Sequence, residues 1–267
     1  MRRGLTMRKA IRLLRARVLL ACVLAACAPT AAAGKAPTPL ARSRQLLVVT
    51  TRGWDDVPGT LRRFERKGSR GAWARVGREV PVALGRNGLA WGLGLVGMSG
   101  SAGPLKKEGD GKAPAGLFAL YSAFGFAPRE EAGWLRLHYL PLTPAVECVD
   151  DPKSNFYNKV MNRDRTVSTV DWNSSERMRS IEGYRWGVFV GHNNAPPVAG
   201  RGSCIFLHVW AGPGQGTAGC TAMEEASLTE LLRWLDRKKR PLLLQLPESE
   251  YARRRAAWAL PALASDR

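Results

Sequence analysis

The chain has 267 residues and a formal net charge of +19. Seven of these charges lie in the first 26 residues, which leaves +12 for the rest of the chain. So basic a protein usually suggests a nucleic-acid partner, but the N-terminal segment predicts export, and export argues against nucleic acid.

The N-terminus has the pattern of a secretory signal. A stretch with seven basic residues and no acidic residue is followed by VLLACVLAAC at 18–27. This apolar run is shorter than the roughly 20 residues that a membrane-spanning helix needs. We therefore expect a signal that directs export, and we assign the remaining positive charge to attraction towards the anionic polymers and lipids of a cell envelope.

The end of this run, LAAC at 24–27, resembles the lipobox of bacterial lipoproteins. The resemblance implies a signal peptide over 1–26, acylation of Cys27 and a flexible tether over 27–43. Because Ala28 is not an aspartate, it also implies anchoring on the periplasmic side of the outer membrane. The alternative is cleavage near AAAG at 31–34, which would release a protein without an anchor.

The cysteines suggest one disulfide and one free thiol. Cys22 would leave with the signal and Cys27 would be acylated, so Cys148, Cys204 and Cys220 remain. An oxidising envelope favours disulfides, and three thiols leave one unpaired. We expect a bridge between Cys148 and Cys204 with Cys220 free; the alternative is three reduced, buried thiols.

Residues 44–247 predict one mainly β domain. Runs of β-branched, aromatic and leucine residues alternate with turn residues at 44–51, 59–66, 72–84, 115–124, 184–192, 203–210 and 240–246. The polar segment 150–183 predicts an irregular excursion over the surface. Residues 248–267 form a separate basic tail.

One helix is predicted, over 224–241. Leu228, Leu231, Leu232 and Leu235 have the i, i+3, i+4, i+7 spacing of a single buried face. Two capping boxes are candidates for its start: Thr221 with Glu224, and Ser227 with Glu230. The first would put Cys220 beside a helix N-terminus, which favours a thiolate.

The segment TAGCT at 217–221 raises the question of catalysis. His208 lies on the predicted strand 203–210, and a glycine-rich loop leads from this strand to Cys220. We expect the loop to fold as a hairpin that returns the thiol to the imidazole, which would act as its base. Backbone N–H groups of the turn would receive an oxyanion. The alternative is a cysteine that serves packing only.

A metal site is the weaker alternative. It would use His192, Cys204, His208 and Cys220, but residues four apart on a strand lie about 13 Å apart and cannot share one ion. The glycine loop also lacks the Lys-Ser/Thr ending of a phosphate-binding loop.

The motifs together resemble the L,D-transpeptidase catalytic domain (the YkuD-type fold). The matching features are the strand histidine, the loop, the Ser/Thr-x-Gly-Cys motif and the following helix, with upstream support from VPVALGRNGLAWG (80–92), KKEGDGKAPAGLFAL (106–120) and WGVFVGHN (186–193). The resemblance implies a β-sandwich or barrel with a few helices, one of them after the cysteine.

It also implies roles for particular residues. Cys220 would attack a peptidoglycan stem peptide and form a thioester, with His208 as the base. Ala218 and Gly219 would offer oxyanion N–H groups. His192 and Thr217 are the candidate substrate contacts, and we expect no cofactor and no metal.

Departures from the family motif leave the acyl acceptor open. Ala218 stands where the family has a histidine, Ala222 where it has Arg or Asn, and the loop is short. We expect a monomeric enzyme that acts on stem peptides, is held at the membrane by its lipid anchor and does not bind nucleic acid. Alternatives are an L,D-carboxypeptidase, an amidase that detaches wall-linked lipoprotein, and a non-catalytic wall-binding lipoprotein.

Overall fold

The computed structural model describes residues 38–68, 71–97, 102–165 and 170–263. The predicted signal peptide, Cys27 and most of the predicted tether lie outside these ranges. Among the described residues, no helix combines the length and apolar character needed to cross a membrane. The first helix, α1 (Thr38–Arg42), lies at the end of the predicted tether, and its Leu40 is buried in the core. The packed domain therefore begins before residue 44.

Thirteen strands are present in the described residues. They are β1 (Gln45–Thr51), β2 (Pro58–Glu65), β3 (Ala74–Ala83), β4 (Leu89–Trp91), β5 (Ala113–Gly125), β6 (His138–Pro141), β7 (Val146–Val149), β8 (Val160–Asn162), β9 (Ser175–Arg177), β10 (Trp186–Val190), β11 (Phe206–Val209), β12 (Thr221–Met223) and β13 (Leu242–Pro247). Ten of them form one sheet, of which eight follow the order β10-β11-β12-β3-β2-β1-β13-β5. Strand β5 also pairs with β10 and so closes a barrel, and β4 and β6 each pair with β5. This confirms the predicted mainly β fold.

The barrel is filled by its own aliphatic strands. β1 (QLLVVTT) is buried along its whole length, because it lies between β2 and β13. Leu46 and Val48 pack with Leu244 and Leu117 in the same core cluster. Full closure leaves the central strands without exposed edges, so their apolar runs can be continuous rather than alternating.

The C-terminal segment is part of this core. Helix α3 (Glu248–Trp258) packs against β13 and β1, and Tyr251 and Leu260 belong to the main apolar cluster. The Tyr251 hydroxyl donates a hydrogen bond to the Pro261 carbonyl at 2.8 Å. Residues 248–263 are therefore a packed element and not the separate tail that the sequence suggested.

Helix α2 (Glu225–Trp234) is shorter than predicted and buries Leu228, Leu231 and Leu232 as expected. Neither predicted capping box forms. Thr221 lies in β12, where its hydroxyl donates to Gln245 Oε1 at 2.7 Å, and Ser227 lies inside the helix. Pairing of β12 within the barrel thus overrides the local capping signal.

The polar segment 150–183 is more ordered than predicted. It supplies β8 and β9, which flank β7 in a separate three-stranded sheet. Arg163 makes a two-pronged ion pair with Glu147 of β7, at 2.6 and 2.9 Å. Short antiparallel pairings and charged cross-strand contacts therefore hold a segment that lacks an apolar pattern.

A disulfide joins Cys148 of β7 to Cys204, the pair expected from the sequence, and Cys220 is the free cysteine among the described residues. Cys204 has a left-handed backbone (φ 55°), so strand β11 begins at Phe206 and not at 203. The bridge thereby ties the small sheet to the start of β11.

Removing this bridge will destabilise the domain. The cysteines are 56 residues apart, and closing a loop of that length in the unfolded chain corresponds to about 4 kcal/mol. We expect the Cys148→Ala/Cys204→Ala variant to lose about 2–5 kcal/mol of unfolding free energy in guanidinium chloride titrations. Cys220→Ala serves as the control that removes a thiol and no crosslink; an unchanged midpoint in the double variant would contradict a native bridge.

Candidate active site

The site is built on two neighbouring parallel strands. Leu207 of β11 pairs with Thr221 of β12, and His208 pairs with Ala222. The hairpin expected from the sequence is therefore wrong: the loop after β11 crosses back so that β12 runs in the same direction. The loop is held to the barrel where Thr217 exchanges backbone hydrogen bonds with Leu84 and Arg86, at 2.9 and 2.8 Å. Parallel strands require a crossover of this kind.

This register brings Cys220 and His208 to one face. Side chains two residues apart on a strand share a face, so Cys220 shares that of Ala222, whose pairing partner is His208. Diagonal neighbours on adjacent strands are within reach of long side chains. Both residues line one cavity of about 440 Å³.

Cys220 lines this cavity and is 6% exposed. Its sulfur accepts a hydrogen bond from the Phe206 N–H at 3.3 Å and donates to the Cys204 carbonyl at 3.5 Å. Burial raises the pKa of Cys220 to about 12, and the carboxyl of Glu176 adds to the effect. The resting group is a thiol.

His208 is oriented as a neutral base. Its Nδ1 lies 2.8 Å from the Val209 carbonyl oxygen. Because a carbonyl oxygen can only accept, Nδ1 must carry the hydrogen and donate it, and Nε2 of the neutral ring is left with a free lone pair. Burial lowers the pKa of His208 below its ordinary value. At neutral pH the pair is therefore an uncharged thiol and an uncharged imidazole.

Helix α2 does not activate the thiol. It begins at Glu225, after the three residues of β12, so Cys220 is not at its N-terminus. The helix N-terminus therefore does not supply the thiolate stabilisation that the first capping box would have given.

The turn before the cysteine is internally bonded. Thr217 Oγ1 donates to the Cys220 carbonyl at 2.6 Å and accepts from the Gly219 N–H at 3.1 Å. Thr217, Ala218 and Gly219 all line the cavity. The Thr217 hydroxyl is engaged in holding the turn, and the Gly219 N–H is already used, which leaves Ala218 and Cys220 as the better candidates for an oxyanion contact.

The structure does not bring His192 to this cavity. Its ring is buried against Phe118, its Nε2 faces the Arg201 carbonyl at 3.0 Å, and burial lowers its pKa to about 4. It lines a second cavity of about 370 Å³. The position of His192 therefore does not support the substrate contact that was expected of it.

Two residues that sequence reasoning missed, Tyr184 and Glu176, also line the cavity. The Tyr184 hydroxyl donates to Glu176 Oε2 at 2.6 Å, and its ring meets the His208 ring edge to face, with centroids 5.2 Å apart. Both residues are far from Cys220 in the sequence, so a local sequence pattern could not have identified them.

Gly183 is a third missed residue. A Cβ at this position would lie 2.6 Å from the Val209 carbonyl oxygen and 3.2 Å from His208 Nδ1, the two atoms of the bond that orients the imidazole. Only a glycine lets the chain approach so closely.

Comparison with known proteins identifies the family of this domain. A model of the L,D-transpeptidase catalytic domain family, YkuD, matches residues 42–243. The chain belongs to this family. Comparisons with curated proteins and with solved structures found no match. The matched range covers the barrel from β1 into β13 and includes both His208 and Cys220, so this L,D-transpeptidase domain carries the cysteine and histidine within the family's own boundaries.

Gly183→Ala will disturb the His208 support. We expect a loss of about 1–3 kcal/mol in unfolding free energy, because the added methyl group must displace a backbone carbonyl. Gly133→Ala is the matched control: its nearest contact would be an ordinary 3.7 Å, and we expect a change within about 0.5 kcal/mol. Denaturant titration measures both; equal stabilities would show that the Val209 carbonyl is not tightly held.

Proposed function

We propose that this domain is a peptidoglycan L,D-transpeptidase that uses Cys220 as its nucleophile and His208 as its general base. The observation that carries the proposal is that the free thiol and an imidazole whose Nε2 is unbonded line one cavity, with His208 on β11 and Cys220 directly before the neighbouring parallel strand β12. Family membership supplies the substrate class, the stem peptides of peptidoglycan.

The chemistry follows from the neutral pair. As the Cys220 sulfur attacks the carbonyl of the stem diamino acid's L-centre, His208 Nε2 takes the thiol proton. The tetrahedral oxyanion is met by backbone N–H groups at Ala218 and Cys220. Collapse breaks the peptide bond, and His208 returns the proton to the amine of the departing D-alanine. A thioester remains on Cys220.

The second half of the reaction restores the enzyme. An amine of a second stem attacks the thioester, His208 accepts the amine proton, and the thiolate leaves and is reprotonated. Water in place of the amine gives the carboxypeptidase reaction. A neutral resting pair suits this sequence, because a free thiolate is not needed until the substrate excludes water from the cavity.

Arg86 is the candidate contact for a stem carboxylate. Ala222, two residues after the cysteine, stands where the family has Arg or Asn and carries no charge, while Arg86 lines the same cavity. No ion pair engages Arg86 within the described part of the chain. Lys106, the other cavity cation, is bound to Asp110 Oδ1 at 2.5 Å and is committed to that loop.

We further propose that the enzyme works in the cell envelope, exported by the segment 1–26 and held by a lipid at Cys27. This rests on the sequence pattern of a basic stretch, a short apolar run and LAAC. The positive charge of the mature chain would then favour approach to anionic envelope polymers.

The Cys220→Ala variant tests the mechanism. Incubated with disaccharide-tetrapeptide, the native protein should give a cross-linked dimer with loss of one D-alanine, and the variant should lose roughly 10³-fold or more in rate because no thioester can form. Mass spectrometry of the products reads both.

The same experiment separates the alternatives. Loss of D-alanine without a dimer means a carboxypeptidase, release of wall-linked lipoprotein from sacculi means an amidase, and binding without turnover means a wall-binding protein. Circular dichroism of Cys220→Ala controls for folding. Full activity in this variant would overturn the mechanism.

An acylating probe tests access to the thiol. A carbapenem is opened by a nucleophile at its β-lactam carbonyl, so we expect intact mass to rise by one drug molecule in the native protein and not in Cys220→Ala. An unmodified native protein at saturating drug would show that the cavity does not admit an acyl donor.

A further inference from the structure

Eight cations collect at one end of the three neighbouring strands β2, β1 and β13. The register places the start of β1 beside the end of β2 and the start of β13, since Gln45 pairs with Glu65 and Leu46 pairs with Leu242. Basic residues flank each of these three strand ends. This basic cluster comprises Arg42 and Arg44 before β1, Arg66 and Lys67 after β2, and Arg237, Lys238, Lys239 and Arg240 before β13.

Hydrogen bonds between the flanking segments hold the basic cluster together. The Arg44 N–H donates to the Lys239 carbonyl at 2.8 Å, and the Arg44 guanidinium donates to the Lys238 carbonyl at 3.0 Å. The Arg66 guanidinium donates to the Ser43 carbonyl at 2.8 Å. All three acceptors are neutral carbonyl oxygens, so the bonds position the two guanidinium groups without cancelling their charge.

The basic cluster is poorly neutralised. Two carboxylates lie beside it: Glu65 pairs with Lys239, and Asp236 lies 4.0 Å from Arg136, which is outside the cluster. In the described ranges of the chain, no ion pair engages the other seven cations. A surface that carries so much uncompensated positive charge attracts polyanions. The exposed members of the cluster are Arg42, Lys67, Arg237, Lys238 and Arg240.

A tryptophan lies at the same end. Trp73 directly precedes β3, whose first residue, Ala74, pairs with Glu65. The Arg66 guanidinium lies over the Trp73 ring, with 4.2 Å between its central carbon and the ring centroid, and the ring is partly exposed. Tryptophan and long cationic side chains both combine an apolar body with a polar tip, which is the character required at a membrane–water interface.

The cavity of Cys220 lies at the opposite end of β2 and β3. Ala83, the last residue of β3, pairs with Pro58, the first residue of β2, and also with Ala222, which lines the cavity. Strand β2 runs from Pro58 to Glu65 beside the basic cluster, and a strand of this length spans about 23 Å. A surface that binds the basic cluster therefore leaves the cavity uncovered.

The chain enters the domain at the basic cluster. Helix α1 (Thr38–Arg42) contributes Arg42 and leads directly to Arg44. Residues 28–37 separate this helix from Cys27, the proposed site of the lipid anchor, and a connection of this length spans at most about 40 Å. An anchor at Cys27 would therefore keep the basic cluster close to the membrane that holds the lipid.

We propose that the basic cluster is a docking surface for the anionic phospholipids of the membrane that carries the anchor, and that docking directs the catalytic cavity away from this membrane. Charge alone attracts the cluster to phosphate headgroups, so no headgroup-specific pocket is required. The anchor raises the local concentration of these headgroups, so a modest attraction is enough to orient the domain. The orientation rests on the proposed envelope location and peptidoglycan substrate, whereas the attraction to anionic lipid does not.

Vesicle binding tests the surface without using the reaction. The chain from residue 27 carries Cys27→Ser, so that no lipid is attached, and is sedimented with vesicles of phosphatidylethanolamine and phosphatidylglycerol at about three to one. We expect binding that weakens as salt rises and is lost on phosphatidylcholine vesicles. No substrate is present, so a failure here is distinguishable from a failure of the transpeptidase reaction. A native chain that does not bind anionic vesicles at low salt would overturn the proposal.

Three exposed cations of the cluster without printed side-chain partners give the decisive variant. Arg42→Gln/Arg237→Gln/Lys238→Gln should bind anionic vesicles roughly 100-fold more weakly, because each cation held near such a surface contributes about fivefold. Circular dichroism checks that the variant is folded.

The matched control removes the same charge from the segment 150–183, which contributes Glu176 to the cavity. Lys153→Gln/Lys159→Gln/Arg177→Gln replaces three other exposed cations and should weaken binding less than about threefold, since these positions would lie beyond the screening length from the lipid. Equal losses in the two triple variants would show that only the net charge matters and would overturn a docking surface at the cluster.

Brominated phospholipids test the orientation, because bromine quenches a tryptophan that approaches the lipid. We expect Trp73→Phe to lose lipid-dependent quenching and Trp210→Phe, whose ring lines the cavity, to retain it in full. Loss of quenching in Trp210→Phe instead would overturn the orientation.

Wall polymer is the alternative occupant of the basic cluster, and purified sacculi test it in the same sedimentation experiment. If the cluster variant lost its binding to sacculi and kept native affinity for anionic vesicles, the lipid proposal would be overturned. A loss on vesicles with native binding to sacculi would support it.

Discussion

The parallel pairing of β11 with β12 is the constraint on which the site depends. It sets His208 opposite Ala222 and thereby Cys220 beside Phe206, whose N–H reaches the sulfur at 3.3 Å. A shift of the register by one residue would turn every side chain of β12 to the other face and remove the thiol from the cavity. Closure of the barrel through the pairing of β5 with β10 holds this register on a continuous sheet.

Burial then determines the charge state of each group in the cavity. Low polarity raises the pKa of Cys220 and lowers that of His208, so the pair is neutral at rest. The same surroundings bring the pKa of Glu176 to about 7. A cavity that suppresses the free thiolate therefore also contains a carboxyl group that can respond to physiological changes in pH.

The three-stranded sheet β8-β7-β9 contributes Glu176 to the cavity. β9 carries Glu176, and the disulfide from Cys148 in β7 to Cys204 ties that sheet to the start of β11. The bridge lies in the same apolar cluster as Cys220, whose sulfur donates to the Cys204 carbonyl. The crosslink thus holds the chain on one side of Cys220 and also stabilises the domain.

The sequence by itself determined the features that depend on residues close together in the chain. These are the apolar strands of the barrel, the buried face of α2 at Leu228 and Leu231, and the single loop that joins the strand of His208 to Cys220. These follow from side-chain periodicity and short separations, which any fold of this segment must respect. Only the tertiary structure decided the parallel direction of β12, the packing of α3, and the placement of Glu176 in the cavity of Cys220 and of His192 in another. Those depend on how remote strands pair and on burial, and no local spacing encodes either.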